Sequence, residues 1–220
     1  MRVVAIDGPS GSGKSTIAKG VAAELGLEVL DTGAMYRAVT CAVLASGVDP
    51  TDGGQVTLVA QACRLEIVDG ATVLDGEDVS DVIRGPEVTA RVSAVSVHPG
   101  VRAELVARQR AWVAKHGGGV VEGRDIGSVV FPDAPVKVFL TASEAERAVR
   151  RQRDEVAARR SVSVEALQET MARRDAADST RAVSPLRTAD GATIIDTTGR
   201  SPSDIVTGIV DAFRRAEGTS

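Results

Sequence analysis

The chain has 220 residues, 43% hydrophobic and 25% charged, which is the balance of a globular protein able to bury its own core. A net charge of −4 and only one Trp, one Tyr and three Phe argue against a nucleic-acid partner. No apolar run is long enough to cross a bilayer and no signal-peptide pattern opens the chain, so we expect a cytoplasmic protein with no membrane partner. Nothing in the sequence requires more than a monomer.

Short apolar strands alternate with helical patterns along most of the chain, beginning with a continuous apolar run that ends at Asp7. The five predicted strands are residues 3–6, 28–30, 119–122, 136–140 and 192–196. The predicted helices are residues 14–25, 34–45 (with Thr32 as the N-cap), 86–94, 99–115, 143–160, 164–176 and 203–215. This alternation predicts an α/β fold with a doubly wound, five-stranded parallel sheet.

Residues 64–80 follow a different pattern. Three strand-like pieces are separated by Asp69-Gly70 and Asp75-Gly76, and Asp-Gly pairs are typical of β-hairpin turns. We therefore expect a small antiparallel β-insert within the α/β chain.

The loop after the first strand matches the phosphate-binding pattern G-x-x-x-x-G-K-[ST], with the required strand before it and helix after it. Its glycines allow backbone N–H groups to point at phosphate oxygens. Lys14 is expected to reach the β- and γ-phosphates of ATP, and the Ser15 hydroxyl is expected to bind Mg²⁺. The predicted ATP-binding residues are Gly8, Pro9, Ser10, Gly11, Ser12, Gly13, Lys14, Ser15 and Thr16.

The phosphate loop does not identify the acceptor, and several classes of protein remain open. A GTPase that reads guanine through an [NT]-K-x-D segment is disfavoured, because the chain has no asparagine and no lysine follows a threonine. A water-activating ATPase would need a metal-binding carboxylate, for which Glu122 is a candidate. A kinase for UMP, AMP or shikimate and a non-catalytic nucleotide-binding regulatory module both stay open.

Three segments supply a second set of anion-binding side chains. Thr32 and Arg37 lie within two turns of a predicted helix start, where phosphate is favoured. Arg124 follows a core strand, at the strand end where ligands bind in doubly wound sheets. Arg174, Asp178 and Arg181 lie on adjacent turns. Each segment alone is typical of an ordinary protein surface, but together they favour a phosphate acceptor.

Six segments follow one another along the chain: GPSGSGKST, DTGAMYR, GEDVS, VRAELVARQR, EGRDIGSVVFPDAPVK and RRDAADSTRAVSPL. In this order and register they resemble the bacterial cytidylate (CMP) kinases, which are similar to adenylate kinase. The resemblance implies transfer of the γ-phosphate of Mg-ATP to CMP or dCMP. It also implies a single domain over residues 1–220, with a core (1–60, 98–145 and 165–220), an insert in the region that binds the nucleoside monophosphate (61–97) and a helical lid (146–164).

The resemblance also assigns the acceptor residues. Ser93, Arg102 and Asp125 would bind the cytosine edge, and Asp178 with Arg174 would bind the ribose hydroxyls. Arg37, Arg124 and Arg181 would bind the acceptor phosphate, in a pocket lined by Thr32 and Tyr36.

An arginine-rich segment coincides with the expected lid. Because phosphoryl transfer spreads negative charge over the moving group, cations delivered by a closing lid would stabilise its transition state. Arg150 and Arg151 are the predicted catalytic arginines of this segment, with Lys14 and Arg124 in the core. The arginines of the segment are Arg147, Arg150, Arg151, Arg153, Arg159 and Arg160.

Overall fold

A computed structural model describes residues 2–68, 70–157, 159 and 161–218. The chain forms two compact units. The described residues of the core unit come from Met1–Val29 and Gly117–Ser220, and those of the second unit from Leu30–His116. Asp69 of the first predicted hairpin turn and Arg160 of the arginine-rich segment lie outside the described residues.

The elements alternate as the sequence predicts. The strands are β1 (Val3–Asp7), β2 (Val29–Asp31), β3 (Leu65–Val68), β4 (Ala71–Leu74), β5 (Glu77–Asp78), β6 (Gly119–Gly123), β7 (Val136–Thr141) and β8 (Thr193–Asp196). The helices are α1 (Lys14–Leu25), α2 (Thr32–Ala45), α3 (Gly53–Ala62), α4 (Pro86–Ser96), α5 (Pro99–His116), α6 (Glu144–Ala157), α7 (Val164–Thr180) and α8 (Pro202–Gly218). None of the described helices is long and apolar enough to span a membrane.

The large sheet has five strands in the order β2-β6-β1-β7-β8, and the pairs of β1 with β6, β1 with β7 and β7 with β8 are parallel. β1 lies at the centre of this sheet, with a neighbouring strand on each side. All five of its residues are buried, which suits its apolar sequence. Val4 pairs with Val120 of β6 and with Val136 of β7. The predicted α/β fold with a five-stranded parallel sheet is confirmed.

The core of this unit lies between the sheet and helices α1 and α8. Ile6 of β1 belongs to one buried cluster with Ile17 of α1 and Phe213 of α8. Because this packing fixes β1 against α1, it also fixes the loop that joins them.

The second unit contains α2 to α5 and a three-stranded antiparallel sheet in the order β3-β4-β5. Leu74 pairs with Glu77, so the hairpin turn is Asp75-Gly76, and both residues have positive φ (51° and 92°). Asp-Gly suits such a two-residue turn because glycine adopts positive φ without strain and Asp tolerates it. The predicted β-insert is confirmed.

Two local features differ from the sequence prediction. The N-cap of α2 is Asp31, whose Oδ1 accepts the Ala34 N–H at 3.0 Å, and Thr32 is the first helical residue. Helix α3 was not predicted, because its Gly-Gly start is typical of a loop. Asp52 compensates by accepting N–H bonds from Gly54 and Gln55, each at 3.1 Å.

Candidate active site

The loop between β1 and α1 depends on glycine for its shape. Gly8 has a φ of 149°, and a Cβ on it would collide with the Leu140 carbonyl oxygen. Gly13 precedes α1 with a φ of 90°, and no side chain caps the first turn of that helix. A helix start without a side-chain acceptor can present its N–H donors to an anion. The backbone of the predicted ATP-binding segment therefore suits phosphate.

The polar side chains of the phosphate loop differ in burial and in hydrogen bonding. Lys14 is buried, and its ammonium donates a hydrogen bond to the Pro9 carbonyl oxygen at 2.7 Å. Ser15 and Thr16 are exposed on the first turn of α1. The buried Ser12 Oγ has no hydrogen-bond partner within the described part of the chain. A phosphate oxygen would satisfy this hydroxyl.

Helices α6 and α7 hold the phosphate loop through Ser10. Arg147 of α6 donates a hydrogen bond to the Ser10 carbonyl oxygen at 3.1 Å, and the Ser10 N–H donates to Asp175 of α7 at 3.3 Å. Arg147 and Asp175 also form a salt bridge with each other. The sequence analysis did not include Arg147 or Asp175 among the site residues. The available signal was helical spacing, since Arg147 lies one turn before Arg150 and Arg151.

Arg150 also borders the phosphate loop. Its two terminal nitrogens donate to the Thr197 hydroxyl at 2.8 Å and to the Thr197 carbonyl oxygen at 2.9 Å. The same hydroxyl lies 3.2 Å from the Ser12 carbonyl oxygen. A Cβ built on Gly13 would lie 3.5 Å from Arg150 Nη1. Of the two lid arginines predicted to be catalytic, Arg150 is therefore the one placed beside the phosphate loop.

The other arginines of the segment differ in surroundings. Arg151 pairs with Glu155 of the same helix at 2.5 Å. Arg153 and Arg159 are exposed. The catalytic roles of Arg150 and Arg151 stay predictions.

Asp178 of α7 joins two of the predicted acceptor arginines. Its Oδ2 accepts the Nε–H of Arg124 at 3.0 Å, and its Oδ1 lies 3.6 Å from Nη1 of Arg181. Arg181 Nη2 lies 3.9 Å from Oδ1 of Asp125. Asp178 and Asp125 are both buried. The core unit therefore brings together two arginines and two carboxylates that were predicted from sequence to bind CMP.

Arg174 completes a concentration of positive charge in the core unit. The pKa of Arg174 is lowered to about 10, chiefly by burial and also by the positive charges of Arg124 and Arg151, while Asp178 and Asp175 oppose the shift. Its buried Nε has no hydrogen-bond partner among the described residues. A buried guanidinium with an unsatisfied donor and cationic neighbours is a favourable site for an anion.

The second unit carries the remaining predicted acceptor residues. Arg37 donates to the Ile83 carbonyl oxygen at 2.9 Å and to the Thr89 hydroxyl at 2.8 Å. Arg102 donates to the Ser96 carbonyl oxygen at 3.3 Å, and its guanidinium carbon lies 5.3 Å from the centre of the Tyr36 ring. This unit therefore brings Tyr36 and Arg102 together.

The other two residues predicted in this unit have distinct places. Thr32 is buried at the start of α2, and Ser93 is half-buried on α4. The Ser93 carbonyl oxygen accepts a hydrogen bond from the Ser96 hydroxyl at 3.2 Å. These positions leave the predicted roles of Thr32 and Ser93 as predictions.

One buried carboxylate was missed by the sequence analysis. Asp7, the last residue of β1, accepts backbone N–H bonds from Ile126 and Gly127, each at 2.8 Å. The pKa of Asp7 is raised from 3.8 to about 6, chiefly by burial and also by the charge of Asp125, while the two N–H bonds and Lys14 oppose the shift. The only feature of the sequence that pointed to Asp7 was its position as an acidic residue at the end of a wholly apolar strand.

The family follows from a comparison with known sequences. A family model described as cytidylate kinase matches residues 4–215. The chain belongs to the cytidylate kinase family. Among its relatives, a cytidylate kinase of Mycobacterium avium (strain 104) is 52% identical over 217 residues, covering 97% of this chain and 95% of the relative. A cytidylate kinase of Corynebacterium glutamicum is 50% identical over 208 residues, covering 93% and 90%.

Some cytidylate kinase relatives are larger proteins. A bifunctional pantoate ligase/cytidylate kinase of Synechococcus sp. is 48% identical over 220 residues, which are 97% of this chain and 40% of that relative. Among solved structures, a gluconokinase of Sinorhizobium meliloti 1021 has a TM-score of 0.52 at 16% identity, covering 99% of this chain and 95% of that one. This structural likeness supports the fold alone.

Proposed function

We infer that this cytidylate kinase family member transfers the γ-phosphate of ATP to CMP. The observation that carries the inference is the family match over residues 4–215, in a chain whose core unit holds both a phosphate loop and a cluster of half-buried arginines. A kinase that acts on a nucleoside monophosphate needs two phosphate sites, one for the donor and one for the acceptor. A purely regulatory nucleotide-binding module would have no use for the second.

The donor side of the proposal rests on the phosphate loop. We propose that ATP binds residues Gly8 to Thr16, with its phosphates on the N–H groups at the start of α1 and its β- and γ-phosphates near Lys14. No group of three or more His, Cys, Asp or Glu side chains among the described residues is placed to hold a metal ion. This fits a Mg²⁺ ion held mainly by the phosphates of ATP, with one oxygen ligand from the exposed Ser15 hydroxyl. When bound, Mg²⁺ would neutralise charge on the phosphates.

The acceptor side uses charge that the core unit already concentrates. We propose that Arg124 and Arg181 bind the phosphate of CMP, and that Asp178 with Arg174 binds the ribose hydroxyls. Asp125 would accept a hydrogen bond from the cytosine amino group. Carboxylates suit hydroxyl and amino donors, and arginine suits phosphate, so each assignment pairs compatible groups.

The second unit contributes the other half of the proposed acceptor residues. Arg37 would bind the CMP phosphate, Thr32 and Tyr36 would line its pocket, and Ser93 and Arg102 would bind cytosine. Arg102 is held by Tyr36 through its guanidinium face and by the Ser96 carbonyl oxygen. A guanidinium fixed in this way loses less side-chain entropy when a ligand binds, which supports its assignment.

Catalysis in this proposal needs positioning and charge, with no covalent intermediate. A CMP phosphate oxygen attacks the γ-phosphorus in line as the bond to ADP breaks. Because a phosphate monoester is already mostly ionised at neutral pH, no strong general base is required. Lys14, Arg124, Arg150 and Arg151 would stabilise the charge that spreads over the transferring group. Exclusion of water would protect ATP from hydrolysis.

Several finer properties belong to the same proposal. We propose that dCMP is also accepted and that the protein acts as a cytoplasmic monomer in pyrimidine nucleotide metabolism. The negative net charge supports a small-molecule role without a nucleic-acid partner.

The test is a coupled assay of ADP release with CMP, dCMP, UMP, AMP and shikimate as acceptors. CMP is expected to give the largest kcat/KM. Equal or greater turnover with AMP, UMP or shikimate would contradict the acceptor. Slow turnover with every acceptor, together with tightly retained nucleotide, would instead favour a regulatory module.

A further inference from the structure

The short helical turn after β6 is capped by a residue from elsewhere in the chain. This turn spans Ile126–Val130, and Asp125 occupies the position before it. The N–H groups at the start of a helical turn need acceptors, and aspartate at this position commonly supplies one. Asp125 makes no such side-chain bond. The bonds go instead to Asp7, whose Oδ1 accepts the Ile126 N–H and whose Oδ2 accepts the Gly127 N–H.

Because Asp7 caps the turn in place of Asp125, the Asp125 carboxylate is not part of the cap. Its Oδ1 lies 3.9 Å from Nη2 of Arg181, one of the arginines assigned to the CMP phosphate. If Asp125 capped the turn itself, its carboxylate would be committed to the N–H groups that follow it. The proposed contact between Asp125 and cytosine therefore depends on Asp7 having taken over the cap.

Asp7 also connects the two proposed substrate sites within the core unit. It directly precedes Gly8, the first residue of the phosphate loop, and its backbone is in register with Gly123, which precedes Arg124. Both of its carboxylate oxygens are used, each at 2.8 Å, and the side chain is buried. A small displacement of Asp7 would move the segment that carries Arg124 and Asp125.

We propose that Asp7 is a positioning residue for CMP binding, which holds Arg124 and Asp125 in place by capping the turn at Ile126–Val130. The inference rests on the proposed assignment of Arg124 and Asp125 to CMP. Asp7 itself is not expected to touch either substrate. Its loss should therefore affect CMP more than ATP.

The test is the substitution Asp7→Asn, with separate KM values for CMP and ATP. An amide supplies one oxygen and one NH₂ group, so it would point a donor at one of the two backbone N–H groups. Misplacement of binding groups by about 1 Å can cost roughly 10²-fold in rate, so we expect kcat/KM for CMP to fall by roughly 10-fold to 100-fold. The KM for ATP should change much less.

Asp52→Asn is the matched control. Asp52 also accepts two backbone N–H bonds at a helix start, from Gly54 and Gln55. It has no place in the proposed sites, so its substitution should leave both KM values unchanged. Comparing Asp7→Asn with Asp52→Asn separates the effect of losing any aspartate cap from the effect of losing the cap at Ile126–Val130.

The possible outcomes separate this inference from the proposed function. If the wild-type chain phosphorylates CMP and folded Asp7→Asn shows equal changes for CMP and ATP, or none, the positioning role is overturned. If Asp7→Asn does not fold by circular dichroism, Asp7→Glu, which keeps the carboxylate but displaces it, is judged by the same selectivity criterion. Absence of CMP turnover by the wild-type chain would overturn the proposed function, and this inference with it.

Discussion

Asp178 holds Arg124 by a hydrogen bond of 3.0 Å from the arginine Nε to the aspartate Oδ2, across 54 positions of sequence. The other carboxylate oxygen of Asp178 faces Arg181 at 3.6 Å. The aspartate therefore fixes two arginines that we assign to the CMP phosphate, and it is itself assigned to the ribose. Because one side chain serves both purposes, its removal has a specific kinetic consequence.

Asp178→Ala should weaken the binding of CMP far more than the binding of ATP. The substitution removes the proposed ribose acceptor and leaves Arg124 and Arg181 without their shared counter-ion, so KM for CMP should rise by at least roughly 10-fold, the equivalent of one lost charged hydrogen bond. Steady-state kinetics with each substrate varied in turn measure this. Asp211→Ala, at an exposed aspartate of α8, is the control and should resemble wild type. Equal effects on the KM for CMP and for ATP would contradict the ribose assignment.

Lys14→Ala should abolish phosphoryl transfer while the protein stays folded. The Lys14 ammonium donates a hydrogen bond to the Pro9 carbonyl oxygen, and we propose that it stabilises charge on the transferring phosphate. We expect kcat to fall by at least about 10³-fold. Lys19→Ala, an exposed position on the same helix, should keep wild-type kcat. Near wild-type activity in Lys14→Ala would exclude the phosphate loop as the donor site.

Arg150→Ala should lower kcat more than Arg153→Ala does. Arg150 is held by Thr197 beside the phosphate loop, whereas Arg153 lies exposed on the same helix. Loss of one donor to a transition-state charge costs about 10²–10³-fold in kcat. Single-turnover rates with saturating ATP and CMP would measure the chemical step. Similar rates for the two variants would show that the position of Arg150 has no catalytic meaning.

The free energy of unfolding should carry a pH dependence that Asp7 produces. The pKa of Asp7 is about 6 in the folded chain, raised from 3.8 chiefly by burial, with Asp125 and Lys14 as the charged groups that act on it. Because the folded-state pKa is the higher one, the protonated form is favoured by folding. Its stabilising contribution is complete below pH 3.8 and is lost as pH rises through about 6.

Urea unfolding of wild type and Asp7→Asn between pH 4 and pH 8 measures this contribution. One pKa unit corresponds to about 1.4 kcal/mol, and part of the contribution is already lost at pH 4, so the stability of wild type relative to Asp7→Asn should decrease by about 2 kcal/mol across this range. Asparagine does not titrate, so the difference between the two curves isolates Asp7. A difference that is constant with pH would show that Asp7 does not titrate in this range.

The parts of the fold with local signals were predictable from sequence. An apolar run predicts β1, a glycine-rich motif predicts the phosphate loop, and helical spacing of apolar residues predicts α1. Because these signals follow one another directly, each supports the next. The Asp75-Gly76 hairpin was predictable for the same reason, since its turn chemistry lies in two adjacent residues. Helix α3 was missed because its cap, Asp52, precedes two glycines that weaken a helical pattern.

The parts of the site that depend on long-range contacts were not predictable. Asp7 and the N–H groups that it caps are separated by 119 and 120 positions, and no local pattern reports such a pair. Nothing in the sequence distinguishes Arg147 from the other arginines of α6, because its hydrogen bond to Ser10 joins residues far apart in the chain. The choice of Asp31 over Thr32 as the cap of α2 is a local ambiguity, because both residue types cap helices well.

The most direct measurement follows the γ-phosphate itself. The chain is incubated with γ-labelled ATP, Mg²⁺ and CMP, and the label is located in CDP, in inorganic phosphate or in remaining ATP. The proposed function predicts that label passes to CDP in amounts equal to the ADP released, and that Lys14→Ala transfers none. Label found in inorganic phosphate, with no labelled CDP, would contradict the central claim that this chain transfers phosphate to CMP.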